Sequence, residues 1–448
     1  MQDKVTATHD ITTQPTAGPQ ARSLAPDLAR GLMLAFIALA NVSWFLWGQP
    51  GHGSSAHPPP NSTVDAVAQF LMIVAVDGRS YPLFAFLFGY GMVQFYRSRR
   101  DRGMEPRTVR RMLRRRHWAL VVLGGLHAAL LFMGDILAAY GIAALLLVWI
   151  FFGRRDRTLA IWVSVVAGLM VLGAVFSTIG GLSLAAAPPE VLAQVEQSSF
   201  QFSSSESRDL TAGQADYLAS MIARLSMWGF LTAFQVLSLI ILLAIMIGWL
   251  AARHRVLDEP WRHTRLLRGV AIGGIAIGWL GALPSALTHL DIWHLPDPLY
   301  WTFMGLNSIT GLAGGLGYAA LFGLIAARIE GRTQNSPPVF VRGVAAVGQR
   351  SLTFYLFQSV VFAPLLSAWG LGLGQHLATW SALLIALGVL FPLYLNTVSG
   401  LRQTDRKLLE VAQVMGFSFL ERVRWVILPS AAPALFVGLR QASATAWL

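Results

Sequence analysis

The sequence predicts an all-α protein, a polytopic integral membrane helical bundle with about 10–11 transmembrane helices. Hydrophobic residues make up 55% of the 448 residues and charged residues only 12%, whereas a soluble domain carries about 25% charged residues. The mean hydropathy is +0.55. So few charges cannot cover a water-facing surface of this size, which excludes a single large soluble domain.

Two further features of the composition narrow the function classes. The chain has no cysteine, which excludes disulfides, thiolate nucleophiles and cysteine metal sites. The formal net charge is +12, and the positive charges lie in short loops between apolar stretches. We therefore interpret them as membrane topology and expect the lipid bilayer, and no nucleic acid, as the partner.

Apolar stretches recur along the chain after a polar start. Residues 1–26 are rich in Thr, Gln and Pro, which is typical of a disordered tail. A membrane-spanning helix needs about 20 apolar residues, and a last apolar stretch covers 425–448. The candidate spans are 31–47, 67–95, 117–133, 136–152, 159–182, 228–251, 269–287, 301–327, 343–369 and 378–395.

Loop charges predict the orientation. The segments 97–116, 154–157, 253–268, 328–342 and 402–424 together hold 26 Arg or Lys residues. The alternate segments 48–64, 183–227 and 288–300 hold 2. The positive-inside rule therefore predicts that the first set and the N-terminus are cytoplasmic, and that the loop 183–227 faces outward. We expect this loop to be partly helical.

The stretch 67–95 is interrupted by Asp77–Pro82. Proline is tolerated near the start of a helix but not in its middle. We expect 66–76 to lie at the outer interface or to re-enter, and 82–96 to cross the membrane. Such a break occurs at membrane depth only where it faces protein or water.

Asp27 and Arg30 precede the first span. An acid–base pair at this spacing stabilises a helix start, and Arg30 could extend to lipid phosphate. The alternative is that Arg30, with Asp27, binds an anionic substrate on the cytoplasmic side.

His127 and Asp135 are ionisable residues, His127 about ten residues into its predicted span and Asp135 at the outer turn between two spans. Such residues within a membrane are costly and are functional by default. His127 is a candidate general base or proton relay, with Asp135 orienting it and Tyr140 as a candidate substrate-binding residue. The alternative is a histidine hydrogen-bonded across helices, with Asp135 capping the next helix.

Three other patterns favour structural roles. Small residues let helices approach closely, which explains the glycines at 305, 311, 314, 315 and 317. The arginine-rich stretch 97–116 is typical of a topology signal, with acidic lipid or a nucleotide phosphate as the alternative ligand. His289, Asp291 and His294 form a weak metal-ligand pattern, and we expect no metal there.

Several ordered motifs carry a resemblance to a known family. They are Asp27–Gly31, the run FAFLFGYG at 84–91, GGLHAALLFMGDILAAYGI at 124–142, and Gly348–Ser359. With these motifs, residues of about 27–385 resemble the YeiB-like family of uncharacterised bacterial inner-membrane proteins. That family is similar in architecture to membrane acyltransferases, including the lysosomal heparan glucosaminide acetyltransferase. The resemblance implies His127 as the base for acyl transfer and acyl-CoA as the donor near the cytoplasmic arginines; otherwise we expect no cofactor.

The C-terminal segment has a different resemblance. Glu410-Val411-Ala412 is followed after three residues by Gly416, and after nine more by Val426-Ile-Leu-Pro429. Residues of about 389–448 therefore resemble the Glu-Ala-Ala loop of binding-protein-dependent ABC transporter permeases. The resemblance implies an ATPase-coupling role for Glu410, Ala412 and Gly416, with an ABC ATPase subunit docking at 402–425 as helices dock in grooves.

These observations divide the chain into a tail at 1–26, a YeiB-like membrane domain at 27–388 and a permease-like fragment at 389–448. We expect transmembrane transport of a small molecule. One alternative is a membrane-bound acyltransferase that uses His127. Another is a non-functional chimera of two reading frames, because the two parts meet inside a span and natural fusions usually join at exposed linkers.

Overall fold

The computed structural model describes residues 24–51, 55–198, 203–295, 297–332, 338–388, 405–427, 429–433 and 437. In this part of the chain the regular structure is helical, which confirms the predicted all-α class. The helices are α1 Leu24–Val42, α2 Thr63–Ala75, α3 Ser80–Asp101, α4 Pro106–Leu130, α5 Leu137–Ile150, α6 Asp156–Ala185, α7 Pro189–Ser198, α8 Ser204–Thr211, α9 Tyr217–Leu237, α10 Ile240–Arg253, α11 Thr264–His289, α12 Met304–Arg332, α13 Val339–Gln349, α14 Ser351–Leu366, α15 Thr379–Gly388, α16 Arg406–Val414 and α17 Phe419–Arg422.

The predicted polytopic membrane architecture is also confirmed. Among the described residues, five helical stretches are long and apolar enough to cross a membrane, or six if the bent pair α9–α10 is one span. The five are Leu24–Phe45, Thr63–Asp101, Asp156–Ala185, Pro260–His289 and Trp301–Gly331.

This number is smaller than the 10–11 spans predicted from hydropathy. The N-terminal half of α4 carries the arginines of 107–116, so its apolar part is short. Helices α5, α14 and α15 are apolar but have fewer than 18 residues, and α9 meets α10 at 53°. Apolar stretches counted as full spans in the sequence are thus short or bent helices in the structure.

Local sequence signals explain where several helices begin. Ser62 caps α2 by accepting a hydrogen bond from the Asp65 amide, and Asp216 caps α9 by accepting one from the Ala219 amide. These residue types satisfy amides that have no partner in the first helical turn. Pro106 opens α4, where its missing N–H costs nothing.

Burial separates the helices into inner and outer ones. In the most apolar stretches of α1 and of α2–α3, 56% and 67% of the residues are buried inside the protein. In the corresponding stretch of α6 only 11% are buried. Large apolar side chains on α6 such as Leu172 and Phe176 are exposed. An exposed apolar face of this length is the surface that lipid covers in a membrane protein.

The glycine-rich α12 packs directly on α11, as the sequence predicts for small residues. A methyl group on Gly278 would lie 2.7 Å from the Gly314 Cα, and one on Gly317 would lie 2.7 Å from the Ile275 amide nitrogen. The two backbones therefore approach to a distance that only glycine permits.

The interruption near residue 77 is shorter than predicted, and the loop 183–227 is partly helical as predicted. Helices α2 and α3 together form one 39-residue candidate span, Thr63–Asp101. The turn between them covers only 76–79, and Pro82 lies in the first turn of α3. The loop 183–227 contains α7, α8 and the start of α9. The predicted tail lies mostly outside the described residues, and so does 389–404, where the predicted domain junction falls.

Candidate functional site

The candidate site is at the turn between α4 and α5. His127 lies near the C-terminal end of α4, and its carbonyl oxygen accepts hydrogen bonds from the Leu131 and Phe132 amides, which end the helix. Asp135 lies just before α5, where its Oδ1 accepts a hydrogen bond from the Ala138 amide at 3.2 Å. A carboxylate at this position also interacts favourably with the helix dipole. The turn therefore brings the two side chains to the same point.

His127 and Asp135 form a buried hydrogen-bonded pair. The His127 Nδ1 is 2.7 Å from the Asp135 Oδ2, and the two side chains are 1% and 0% exposed. An ionised carboxylate only accepts, so Nδ1–H donates and the neutral ring keeps its lone pair on Nε2. Among the described residues, that Nε2 has no hydrogen-bond partner. The pair can thus take up a proton at Nε2 while Asp135 stabilises the imidazolium.

Tyr355 of α14 packs against this pair. The sequence alone does not indicate this role. Its ring is edge-on to the His127 ring at 5.3 Å between centroids. Its hydroxyl oxygen accepts a hydrogen bond from the Ile136 amide at 3.2 Å. Tyr355 therefore fixes the turn that carries Asp135. Its place in the Gly348–Ser359 motif was the only sequence signal.

Tyr140 is directed away from this pair. Its hydroxyl donates to the Tyr81 carbonyl oxygen on α3 at 2.7 Å. Its ring packs against Phe84 and Phe88, with centroids at 5.2 and 5.8 Å. The structure places Tyr140 in the contact between α5 and α3, so its predicted role in binding substrate stays a prediction.

Asp27 and Arg30 form a separate cluster. The Arg30 guanidinium is 3.2 Å from the Asp27 carboxylate and 3.4 Å from the Gln94 Oε1. Gln94 in turn donates to Asp258, which also pairs with Arg97. The stretch of α3 from Tyr81 to Gln94 is about 20 Å long by helix rise. The Arg30 cluster is therefore remote from Tyr140, which contacts α3 at Tyr81.

The residues of the weak metal pattern are not gathered together. His289 is buried and its Nε2 is 2.8 Å from the Gln69 Oε1. Asp291 and His294 are exposed and pair with each other at 2.6 Å. No group of three or more ligand residues that could hold a metal ion occurs in the ranges that the structure describes.

The segment after residue 404 forms two short helices. Asp405 caps α16 by accepting a hydrogen bond from the Lys407 amide at 2.9 Å. Gly416 ends the first helix with φ +77°, a backbone angle that favours glycine. Ser418 and Glu421 then exchange hydrogen bonds at the start of α17, a capping box. The Ser418 amide lowers the pKa of Glu421 below its ordinary value.

One face of this helix pair is apolar and exposed. Glu410 is exposed and Ala412 is buried. Both lie on α16 and Gly416 follows it, so the three predicted coupling residues belong to one helix–turn unit. The described residues near them form a groove. The exposed apolar side chains are Leu408, Val411, Val414, Met415 and Phe419, together with Trp425 in the helical turn Val423–Ile427 that follows α17.

Comparison with known proteins confirms both predicted resemblances. Residues 251–396 match the family described as "Protein of unknown function (DUF418)", the YeiB-like family. The chain is 24% identical over 375 residues to the uncharacterized protein YxaH of Bacillus subtilis. The aligned residues make up 81% of this chain and 86% of YxaH.

Other matches are to transport permeases and are partial. The chain is 48% identical over 66 residues to the putative aliphatic sulfonates transport permease protein SsuC of Bacillus subtilis, 15% of this chain and 24% of SsuC. It is 28% identical over 165 residues to the bicarbonate transport system permease protein CmpB of Synechococcus elongatus, 36% of this chain and 52% of CmpB. The chain thus spans about a quarter to a half of these permeases. No solved structure matches it significantly.

Proposed function

We propose that this chain takes part in the transmembrane transport of a small molecule and that an ABC ATPase subunit docks on α16–α17. The observation that carries the proposal is the helix–turn–helix unit around Gly416, whose apolar face is left exposed. The spacing of Glu410, Ala412 and Gly416 supports it, as do the partial matches to transport permeases. An amphipathic helix with such a face fits a hydrophobic groove on a partner.

An exposed acidic side chain lies beside the apolar face of the unit. Glu410 is exposed beside the apolar residues, where a basic residue of the ATPase subunit would pair with it. Such a rim charge governs partner choice and association rate more than affinity. The apolar side chains supply the affinity, and Trp425, 62% exposed, is of the type that dominates interface energies.

The test is affinity purification of the tagged full chain from its native membranes, followed by identification of nucleotide-binding subunits. We expect an ABC ATPase subunit to copurify with the wild type and to be lost with Trp425→Ala or Glu410→Arg. Glu190→Arg, at an exposed position on α7, is the matched control and should retain it. Absence of the ATPase subunit from the wild-type sample would refute the docking proposal.

The His127–Asp135 pair favours a second candidate function, acyl transfer with acyl-CoA as donor. The specific observation is the unpartnered Nε2 of a buried histidine whose other nitrogen is held by a carboxylate. That is the arrangement of a general base. In this scheme Nε2 takes the proton of an acceptor hydroxyl or amine as the acceptor attacks the acyl carbonyl, and returns the proton to the CoA sulfur as the carbon–sulfur bond breaks. Radiolabel from acyl-CoA should then reach an acceptor in wild-type membranes and not in His127→Gln membranes at equal protein level.

A further inference from the structure

A second histidine–carboxylate pair lies at the end of α1 that is remote from Arg30. Three elements contribute to it: Ser43 from the 3-10 turn after α1, His57 from the loop before α2, and Asp77 from the turn between α2 and α3. The Ser43 Oγ is 3.0 Å from the His57 Nδ1. The His57 Nε2 is 2.7 Å from the Asp77 Oδ2. A hydroxyl, an imidazole and a carboxylate thus form one continuous hydrogen-bonded chain.

The direction of these hydrogen bonds follows from the acceptor-only carboxylate. Ionised Asp77 accepts from Nε2–H, so a neutral His57 has its lone pair on Nδ1. Nδ1 then accepts the hydrogen bond, and the Ser43 hydroxyl donates it. This is the order of nucleophile, base and orienting acid that activates a serine, with the two ring nitrogens exchanged.

One arginine holds the described parts of the loop that carries His57, on either side of residues 52–54. Arg208 of α8 donates to the carbonyl oxygens of Ala56, Pro50 and Gln49 at 2.7, 3.4 and 3.5 Å. Its side chain is fully buried, and burial lowers the pKa of Arg208 to about 10. Because the buried Arg208 guanidinium hydrogen-bonds to the Ala56 carbonyl, it fixes the position of the next residue, His57.

The His57 ring also lies near the ring of a second histidine. The His289 ring is edge-on to it at 6.1 Å between centroids. The His289 Nε2 is 2.8 Å from the Gln69 Oε1, and the Gln69 Nε2 donates to Asp65 and Thr379 at 3.0 Å each. The ring that faces His57 is thus itself fixed by hydrogen bonds.

The surroundings of Ser43 indicate the class of substrate. Ser43 and His57 are 0% and 1% exposed, while the Asp77 side chain is 26% exposed. Along the chain Ser43 is flanked by the buried Val42 and the partly buried Trp44, and Phe45 beyond Trp44 is buried. An apolar, water-poor setting suits an uncharged carbonyl better than a phosphate ester.

We propose that Ser43, His57 and Asp77 form a catalytic site for acyl transfer from an ester or thioester, separate from the His127–Asp135 pair and from the transport proposal. Ser43 is the nucleophile, His57 the general base and Asp77 the positioning residue. The Ser43 Oγ bonds to the carbonyl carbon as its proton passes to the His57 Nδ1. The carbon–oxygen or carbon–sulfur bond to the leaving group then breaks, and His57 returns the proton to that group. Water or an acceptor hydroxyl releases the acyl group from Ser43 by the same steps in reverse.

The first test uses a fluorophosphonate probe on the purified full chain, with the modified residue located by mass spectrometry. We expect a covalent adduct on Ser43, absent in Ser43→Ala. His57→Gln and Asp77→Asn should slow labelling by a factor on the order of 10²–10⁴, the contribution of a positioned general base. Ser207→Ala, at a buried serine that bonds to a backbone carbonyl, is the control and should label as the wild type does. No adduct on wild-type Ser43 overturns the proposal.

The second test exploits the absence of cysteine from the chain. Ser43→Cys introduces a single thiol beside His57, and a histidine partner raises the thiolate fraction of a cysteine. Iodoacetamide should alkylate Ser43→Cys at least tenfold faster than the double variant with His57→Gln, with Ser207→Cys as the control thiol. Equal rates with and without His57 would show a purely structural network, even if Ser43→Ala failed to fold.

Discussion

The two adjacent glycines of α4 offer a sharp test of the turn that holds the His127–Asp135 pair. A methyl group at Gly124 would overlap the Asp135 Oδ1 and lie 2.7 Å from the Ala138 amide nitrogen. A methyl group at Gly125 would meet only the Trp228 ring edge, at 3.4 Å and beyond. The first position has no room because the turn closes onto it, whereas the second makes an ordinary contact.

The comparison of the two alanine variants isolates this packing cost. Both gain about 1 kcal/mol of helix propensity over glycine, so this gain cancels in the difference between them. Overpacking at Gly124 costs about 1–3 kcal/mol. We therefore expect Gly124→Ala to be less stable than Gly125→Ala by about 1–3 kcal/mol.

Denaturant titration of each purified variant in detergent micelles, followed by tryptophan fluorescence, measures the free energy of unfolding. Gly125→Ala should equal or exceed the wild type, and Gly124→Ala should fall below it. Equal free energies for the two variants would mean that α4 and Asp135 are not as close as the structure has them.

Three further predictions follow from other parts of the molecule. Asp135→Asn preserves shape but lets Nδ1 accept instead of donate, so label transfer from acyl-CoA should fall by about 10³–10⁴-fold while the protein still accumulates; unchanged transfer would remove Asp135 from the mechanism. The folded-state pKa of Glu421 is lowered, so its capping contribution is present above the ordinary pKa of a glutamate and is lost as pH falls through the lowered value. Glu421→Gln should therefore lower the protection of the Ser418 amide at pH 7, measured as hydrogen exchange relative to the intrinsic rate, and abolish the change of that protection with pH. Identical protection in both proteins would contradict the capping box. Reporter fusions at Ser204 and Gly103 should give outside and inside signals respectively, and the reverse pattern would overturn the predicted orientation.

Composition was sufficient to predict a membrane protein. With only 12% charged residues, the chain has too few charged side chains for a surface that faces water on all sides. The number of spans was not predictable from hydropathy alone. An apolar stretch such as 136–152 forms the 14-residue helix α5, which is buried among other helices, and burial in protein and burial in lipid select the same side chains.

The contact between His127 and Asp135 could be predicted from the sequence for a physical reason. His127 and Asp135 are separated by one helix end and a short turn, so local geometry brings them together. Tyr355 contacts the same turn from α14, more than 200 residues along the chain. No local sequence pattern indicates that contact. Helical spacing likewise left the direction of Tyr140 open, and the Tyr81 carbonyl on α3 determines it.

The Ser43, His57 and Asp77 cluster illustrates the same limit. Its members come from a helix end, a loop and a turn between helices, where neither the helical nor the strand period relates one side chain to another. Arg208 appeared in the sequence as one of two basic residues in a polar loop, and its role in holding the His57 loop depends on tertiary contacts.

The most direct test of the proposed transport function is ATP hydrolysis in proteoliposomes that contain the full chain and the ABC ATPase subunit that copurifies with it. We expect hydrolysis to depend on the chain, to rise when a transported solute is supplied from a panel of small organic and inorganic anions, and to return to the basal rate with Trp425→Ala. A hydrolysis rate that is the same with and without the chain, for every solute, would contradict the account.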